Sequence, residues 1–277
     1  MKEVVLYHAG CTDGMGAAYS FWKEFGDTME YIPVSHNRPP PEGLDGKVVF
    51  IVDFSYKRDV ILSLGEKCKE LTIIDHHASA ERDLSDLNSI NSKIEVHFDM
   101  TKSGAILAWE YVYGDRPPPG LLRYIQDRDL WAFKLHGTKE VIAGLRTLPE
   151  DFSIWDKYMD QDGVNKLMEQ GISLVRQIDQ LVEQTIKISK RYIAFEGYEN
   201  VPLVNCPYML ASEVGNEISK DHLFSLSYYD AEDKRVFSMR TANDDIDLSE
   251  IAVKYGGGGH KKACGFAVSR QHPLACI

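Results

Sequence analysis

The sequence predicts an α/β fold: an N-terminal doubly wound, mainly parallel sheet joined by a long helix to a smaller α/β domain. Three observations carry this. Short β-branched apolar runs alternate with stretches of helical apolar spacing, the pattern of βαβ units. Several of those runs stop abruptly at Asp or His, where the ligand crevice of an open α/β sheet lies. A long helical-period stretch, Asp162 to about Tyr192, then separates these units from a C-terminal region of different strand pattern. The expected division is residues 1–160, a connector over 161–193, and residues 194–277.

Taken in order, Glu3 to Tyr7 reads as the first strand, ending in His8-Ala9-Gly10-Cys11-Thr12-Asp13-Gly14. Met15, Ala18, Phe21, Trp22 and Phe25 then keep helical spacing, so this loop joins a strand end to a helix N-terminus. Backbone N–H groups and the helix dipole favour anions there. By itself Asp13 is also readable as an N-cap. Met29 to Val34 reads as a strand, and His36-Asn37-Arg38-Pro39-Pro40-Pro41 as a stiff loop, because prolines continue neither ladder nor helix. Lys47 to Val52 is a strand ending at Asp53-Phe54-Ser55, and a helix follows from about Lys57 to Lys67. Leu71-Thr72-Ile73-Ile74 reads as a buried parallel strand that ends in Asp75-His76-His77, one carboxylate and two imidazoles. Alone, that triplet is also readable as a polar loop after a strand. Ile94 to Phe98 is expected as a strand and Ser103 to Tyr113 as a helix. In a parallel sheet the strand ends share one edge, so His8/Asp13, Asp53 and Asp75-His76-His77 converge although distant in sequence.

After Pro117-Pro118-Pro119 a helix carries Tyr124-Ile125-Gln126-Asp127-Arg128-Asp129-Leu130-Trp131. Its two acids and arginine fit a solvated ion pair or a further metal ligand beside a phosphate contact. In the C-terminal region Val201 to Asn205, Leu223 to Tyr229 and Val236 to Thr241 read as strands, and Pro207 to Ile218 and Leu248 to Tyr255 as helices. Then comes Gly256-Gly257-Gly258-Gly259-His260-Lys261-Lys262-Ala263-Cys264-Gly265-Phe266. Glycines let a backbone approach a ligand and offer N–H donors beside the cations, a phosphate or nucleotide cradle. The other reading is a flexible linker.

Composition bounds the function. Lys+Arg 31 against Asp+Glu 42 gives a formal charge of -11. That disfavours non-specific binding to long duplexes, which depends on many cations releasing counterions. Five cysteines without a CxxC pair argue for neither a disulfide framework nor a structural zinc site, and fit a reducing cytoplasm. The N-terminus turns polar too soon for a signal peptide, and no apolar run approaches a bilayer span.

Thr12-Asp13-Gly14, Val52-Asp53-Phe54-Ser55, Asp75-His76-His77, Asp127-Arg128-Asp129 and the glycine-histidine motif, in this order, resemble the DHH phosphoesterases that carry a C-terminal DHHA1 domain, in their nano-RNase and RecJ-like branch. The resemblance spans nearly the whole chain. It implies a Mn²⁺-dependent phosphoesterase with the active site in the cleft between the two domains, Co²⁺ or Mg²⁺ being alternatives, with one or two ions bound. Carried over, Asp53 looks like the carboxylate bridging two metals. Asp13, His76 and Asp127 look like ligands of one metal, with Asp127 preferred over Asp129. His8, Asp53 and Cys11 are the candidates for the other. Asp75 looks like a partner orienting a histidine. His77 looks like a phosphate contact or proton donor; with Asp53 and His76 it makes up the expected catalytic set. Arg128, Gly257, Gly258, Gly259 and His260 are the expected substrate contacts. The chain departs from the family at Cys11-Thr12-Asp13, where many members have Asp-x-Asp, and in the spacing of His8.

The expected activity is hydrolysis of phosphodiester or phosphoester bonds in short single-stranded oligonucleotides or small nucleotides. Tyr255, Phe266 and the Lys261/Lys262 pair are readable as a small stacking platform or as core. The alternatives are a catalytically weak nucleotide-binding regulatory module, for which Cys11 speaks, and a pyrophosphatase or polyphosphatase, against which the glycine motif speaks. No membrane and no long duplex are expected as partners, and a homodimer is allowed.

Overall fold

The structure is a computed structural model that describes residues 2–35 and 38–277. The start of the expected stiff loop, His36-Asn37, lies outside the described residues. The chain divides into two compact units, Met1–Val175 and Arg176–Ile277.

The first unit runs β1 (Val4–His8), α1 (Thr12–Phe25), β2 (Glu30–Val34), β3 (Val48–Val52), α2 (Arg58–Lys67), β4 (Glu70–Asp75), α3 (Ala78–Leu84), α4 (Leu87–Ile90), β5 (Ile94–Phe98), α5 (Gly104–Tyr113), α6 (Gly120–Asp129), α7 (Thr138–Leu145) and α8 (Phe152–Trp155). Helix α9 (Gln161–Ser189) follows, and the unit boundary falls within it. Strands β1 to β5 form a five-stranded sheet in the order β2-β1-β3-β4-β5, with every neighbouring pair parallel. Successive strand residues point to opposite faces. Val5, Tyr7, Val52 and Ile74 therefore enter one core with α1 and α5. Val4, Leu6, Val49, Ile51, Leu71 and Ile73 enter the other, with α2. Burial on both faces is why these strands are continuous apolar runs. Pro33 is tolerated because β2 is an edge strand, where a missing N–H breaks no inner ladder.

The second unit contains β6 (Arg191–Phe195), β7 (Tyr198–Asn205), α10 (Ala211–Ser219), β8 (Ser225–Asp230), β9 (Lys234–Arg240), α11 (Leu248–Lys254), β10 (Gly258–Gly259) and β11 (Ala263–Ser269). Its six-stranded sheet has the order β10-β11-β9-β8-β7-β6, antiparallel except between β7 and β8. Phe224, Leu226, Phe237, Met239, Leu248 and Phe266 fill one core. Val204, Val214 and Ile218 meet Val182 of α9 in a smaller one. The expected helix to Tyr192 stops at Ser189, and Arg191 to Phe195 is the strand β6 instead. No described helix is long and apolar enough to cross a membrane.

Candidate metal centre

The parallel sheet delivers its chemistry at one edge. At the end of β1, Cys11 has extended backbone and is the N-cap residue of α1, so Asp13 falls in the first turn, 1% exposed. Gly14 is required by this approach: a Cβ there would lie 2.4 Å from the His8 carbonyl oxygen and 2.8 Å from His8 Cβ. Asp13 is held by another helix. Its Oδ2 accepts from the Gly104 N–H at 2.6 Å and its Oδ1 from the Ala105 N–H at 3.0 Å, both in the first turn of α5. Unsatisfied amides and the positive helix end suit a carboxylate there. Gly104 also lets Asp53 close in, since a Cβ there would meet Asp53 Cβ at 2.6 Å and Asp53 Oδ1 at 2.7 Å.

Asp53 follows β3 with φ at 61°, a conformation that side chains other than glycine's rarely take. Its N–H donates to the Ile74 carbonyl at 3.0 Å, which ties it to β4. The carboxylate faces two ways. Oδ1 lies 3.2 Å from His76 Nε2, and Oδ2 lies 3.6 Å from His8 Nδ1. Oδ2 is buried and receives no hydrogen bond. His76 Nε2 lies also 3.6 Å from Asp13 Oδ2 and 3.6 Å from Asp129 Oδ2. Two donor groups result within the first unit. Asp13, His76 and Asp129 form one, and His8, Cys11 and Asp53 the other, with the ligand atoms of each within 4.8 Å of one another.

The electrostatics are those of a site built around positive charge. Burial raises the Asp13 carboxyl well above the usual range, and the fields of Asp53 and Asp129 push it further. Burial also raises Asp129. Burial works against charge on His76 too, but its bond to Asp53 and the fields of Asp129 and Asp13 overcome that and raise it. Burial, then the same three carboxylates, hold the Cys11 thiol well above its ordinary value. Carboxylates this crowded, with an orphaned buried oxygen between them, fit divalent cations, whose charge replaces the missing counterion.

Asp75, fully buried at the end of β4, braces the neighbouring histidine. Its Oδ1 accepts from the His76 N–H at 2.7 Å and lies 2.7 Å from His77 Nδ1, while Oδ2 accepts from Ser55 Oγ at 2.6 Å. Burial disfavours the charged carboxylate, but His77 and His76 outweigh it and hold Asp75 low. Burial pulls His77 down, and Asp75 more than compensates, so its imidazole is raised.

Asp127, the preferred ligand of the sequence reading, lies in neither donor group, whereas Asp129 lies in one. Asp127 Oδ1 accepts from the Lys134 N–H at 2.8 Å, and its Oδ2 from the Leu135 N–H at 3.0 Å and Thr138 Oγ1 at 2.5 Å. Its carboxylate fastens the loop after α6, in which Trp131 and Phe133 both have positive φ. The Arg128 guanidinium stacks 4.1 Å above the Trp131 ring in that loop. Besides ranking Asp129 second, sequence reasoning gave no role to Gly104 or Ser55; Gly104's place at the start of a helix was the available signal.

In the second unit the glycine run is ordered strand and turn, not a linker. Gly258 and Gly259 pair with Gly265 and Cys264 as β10. The His260 N–H donates to the Ala263 carbonyl at 2.9 Å, closing a tight hairpin. Gly257 is obligatory, since a Cβ would meet the Gly265 carbonyl oxygen at 2.1 Å, and Gly259 has φ at 132°. Lys262 pairs with Asp244 at 2.7 Å. Phe266 is 3% exposed and stacks with Tyr255 and Phe237 at centroid distances of 4.5 and 5.0 Å, which makes this aromatic set core.

No protein-family model matches the chain. Its fold is that of the DHH-domain proteins. It superposes with a TM-score of 0.56 on the DHH domain of a protein described as a member of a ribosomal-protein family, at 13% identity over 97% of this chain and 83% of that one. On RecJ from Thermus thermophilus in complex with Mn²⁺ the TM-score is 0.52, at 15% identity over 96% of this chain and 49% of RecJ. Among curated proteins it is 31% identical to uncharacterized protein R106 of Acanthamoeba polyphaga mimivirus, over 96% of this chain and 68% of R106. A segment of 62 residues is 50% identical to oligoribonuclease NrnB of Bacillus subtilis (strain 168), covering 22% of this chain and 15% of NrnB. The chain therefore shares a family with protein R106 and the fold of the DHH-domain proteins.

Proposed function

We propose that this chain hydrolyses phosphodiester or phosphoester bonds in short oligonucleotides or small nucleotides, with divalent cations held by its two donor groups. The observation that carries the reading is Asp53, whose two carboxylate oxygens each face a different group of ligand atoms. The fold of the Mn²⁺ complex of RecJ supports Mn²⁺ as the first cation to test. Bound there, such ions supply Lewis-acid stabilisation of a phosphoryl oxygen and a hydroxide nucleophile.

The protein's own part is positioning. The α5 N-terminus fixes Asp13, the β3–β4 ladder fixes Asp53, and the Asp127 loop lies beside Asp129. Asp75 fixes the His77 ring through one nitrogen. A raised, oriented imidazole is suited to touch a phosphate or to give a proton to the leaving oxygen. In the second unit, glycines 257–259 and His260 are our proposed phosphate-binding segment. A net charge of -11 favours short substrates over long duplexes. The local identity to oligoribonuclease NrnB favours RNA as the first substrate.

The test is mononucleotide release from a short labelled oligoribonucleotide, with Mn²⁺, with EDTA and with Asp53→Ala. Metal-dependent release that the variant lacks is expected. A wild type inert on RNA, phosphoadenosine phosphate and cyclic dinucleotides, yet binding them, would establish the regulatory module instead.

A further inference from the structure

The two donor groups differ in chemical softness. One consists of two carboxylates and an imidazole, Asp13, Asp129 and His76. The other places a sulfur beside an imidazole and a carboxylate, Cys11, His8 and Asp53. Of the five cysteines, Cys11 alone belongs to such a group among the described residues. Its position is set by the fold, as the residue between the end of β1 and the first turn of α1. A second observation points to a ligand here. Asp53 Oδ2, on the His8 side of that carboxylate, is buried and accepts no hydrogen bond, although Asp53 is 1% exposed. An orphaned buried carboxylate oxygen is costly unless a cation meets it. Thiolate donors select thiophilic first-row ions, whereas carboxylate-rich groups suit Mn²⁺ and Mg²⁺.

We propose that Cys11 is a metal ligand, and that with His8 and Asp53 it makes a position for a thiophilic divalent ion such as Zn²⁺ or Co²⁺ beside a harder position at Asp13, His76 and Asp129. The thiol gives its proton to solvent as the sulfur–metal bond forms. The protein is then a mixed-metal centre in which Asp53 joins two unlike ions. This rests on the metal-dependent reading proposed above and adds which ion goes where.

The test uses the full chain, stripped of metal and reloaded with Co²⁺ alone, and reads the thiolate-to-cobalt charge-transfer absorption. Wild type should show the band, and Cys11→Ser should lose it while still binding Co²⁺ at the harder position. With one equivalent of Zn²⁺ and an excess of Mn²⁺, metal analysis should find wild type holding both. Cys11→Asp should shift toward Mn²⁺ by roughly tenfold or more. Circular dichroism of the metal-free variants controls for folding, and the wild-type spectrum is informative without any variant. Stoichiometric Co²⁺ without the band, or a band that survives in Cys11→Ser, overturns the proposal but leaves the metal-dependent reading standing. Failure to bind any divalent ion overturns both.

Discussion

The two sheets treat buried polarity in opposite ways. Among the described residues, the first unit buries Asp13, Asp53, Asp75, His76 and Asp127. The second buries only hydroxyl groups and one cation, Arg235, which is paired with Asp230 and donates to the Ile277 carbonyl. A buried charge persists only where the surrounding structure pairs or orients it. The first sheet does this because all its strands are parallel, so their carboxyl ends and the helix N-termini gather acids at one edge. The second sheet, mostly antiparallel, sends successive strands in opposite directions and collects no such edge. Its contribution is a glycine-rich hairpin, β10 to β11, whose backbone rather than side chains defines it.

The largest effect is expected of Asp53→Ala. If the edge is the reacting centre, kcat/KM on a short oligoribonucleotide falls more than about a thousandfold, some 4 kcal/mol of transition-state stabilisation. Residual activity near wild type would remove Asp53 from the site. Gly104→Ala is next. The added Cβ has no room between Asp53 and Asp13, so thermal unfolding should show a loss of about 1–3 kcal/mol, accompanied by weaker metal binding. An unaltered melt with intact metal content would show that this approach is not tight.

The pair Asp127→Asn and Asp129→Asn separates a loop-fastening carboxylate from one in a donor group. The first strips acceptors from buried donors in the loop and should cost about 1–3 kcal/mol of stability while sparing metal stoichiometry. The second should lower metal affinity with little loss of metal-free stability, since it relieves repulsion with Asp53. The reverse result would restore Asp127 as the ligand. The smallest effect belongs to the second sheet. Arg235, burial notwithstanding, and then Arg270 hold the Asp230 carboxyl down to about 2. A depressed carboxylate stabilises the fold above its ordinary range and loses that contribution as pH falls through about 2. The melting difference between wild type and Asp230→Asn should therefore be present at neutral pH and shrink in acid. Solvent screening keeps it small. A difference that grows in acid would contradict the pairing.

Much of this was legible in the sequence because strand ends announce themselves. A β-branched run that stops at Asp53, or at Asp75-His76-His77, locates both the strand and the edge it serves. Asp127 against Asp129 was not legible. Residues two apart on a helix point to nearly opposite sides, and which side faces the sheet edge depends on a loop that folds back through positive-φ Trp131 and Phe133. Gly104 was hidden inside a plausible helix, because its role is the space it leaves for Asp53. Strand β6 was missed because a single residue separates it from α9 and it is an edge strand whose residues are mostly exposed. The aromatics Tyr255 and Phe266 were readable as a stacking platform or, more readily, as core, and register puts Phe266 inside.

Asp53 is proposed to join two cation positions at the edge of the parallel sheet. The most direct test is metal stoichiometry, measured by equilibrium dialysis and metal analysis, alongside hydrolysis of a short oligoribonucleotide by the same preparations. Two ions per chain and metal-dependent turnover are expected in wild type, with Asp53→Ala losing both full occupancy and turnover. Hydrolysis that survives EDTA, or full occupancy and turnover in Asp53→Ala, would contradict this role.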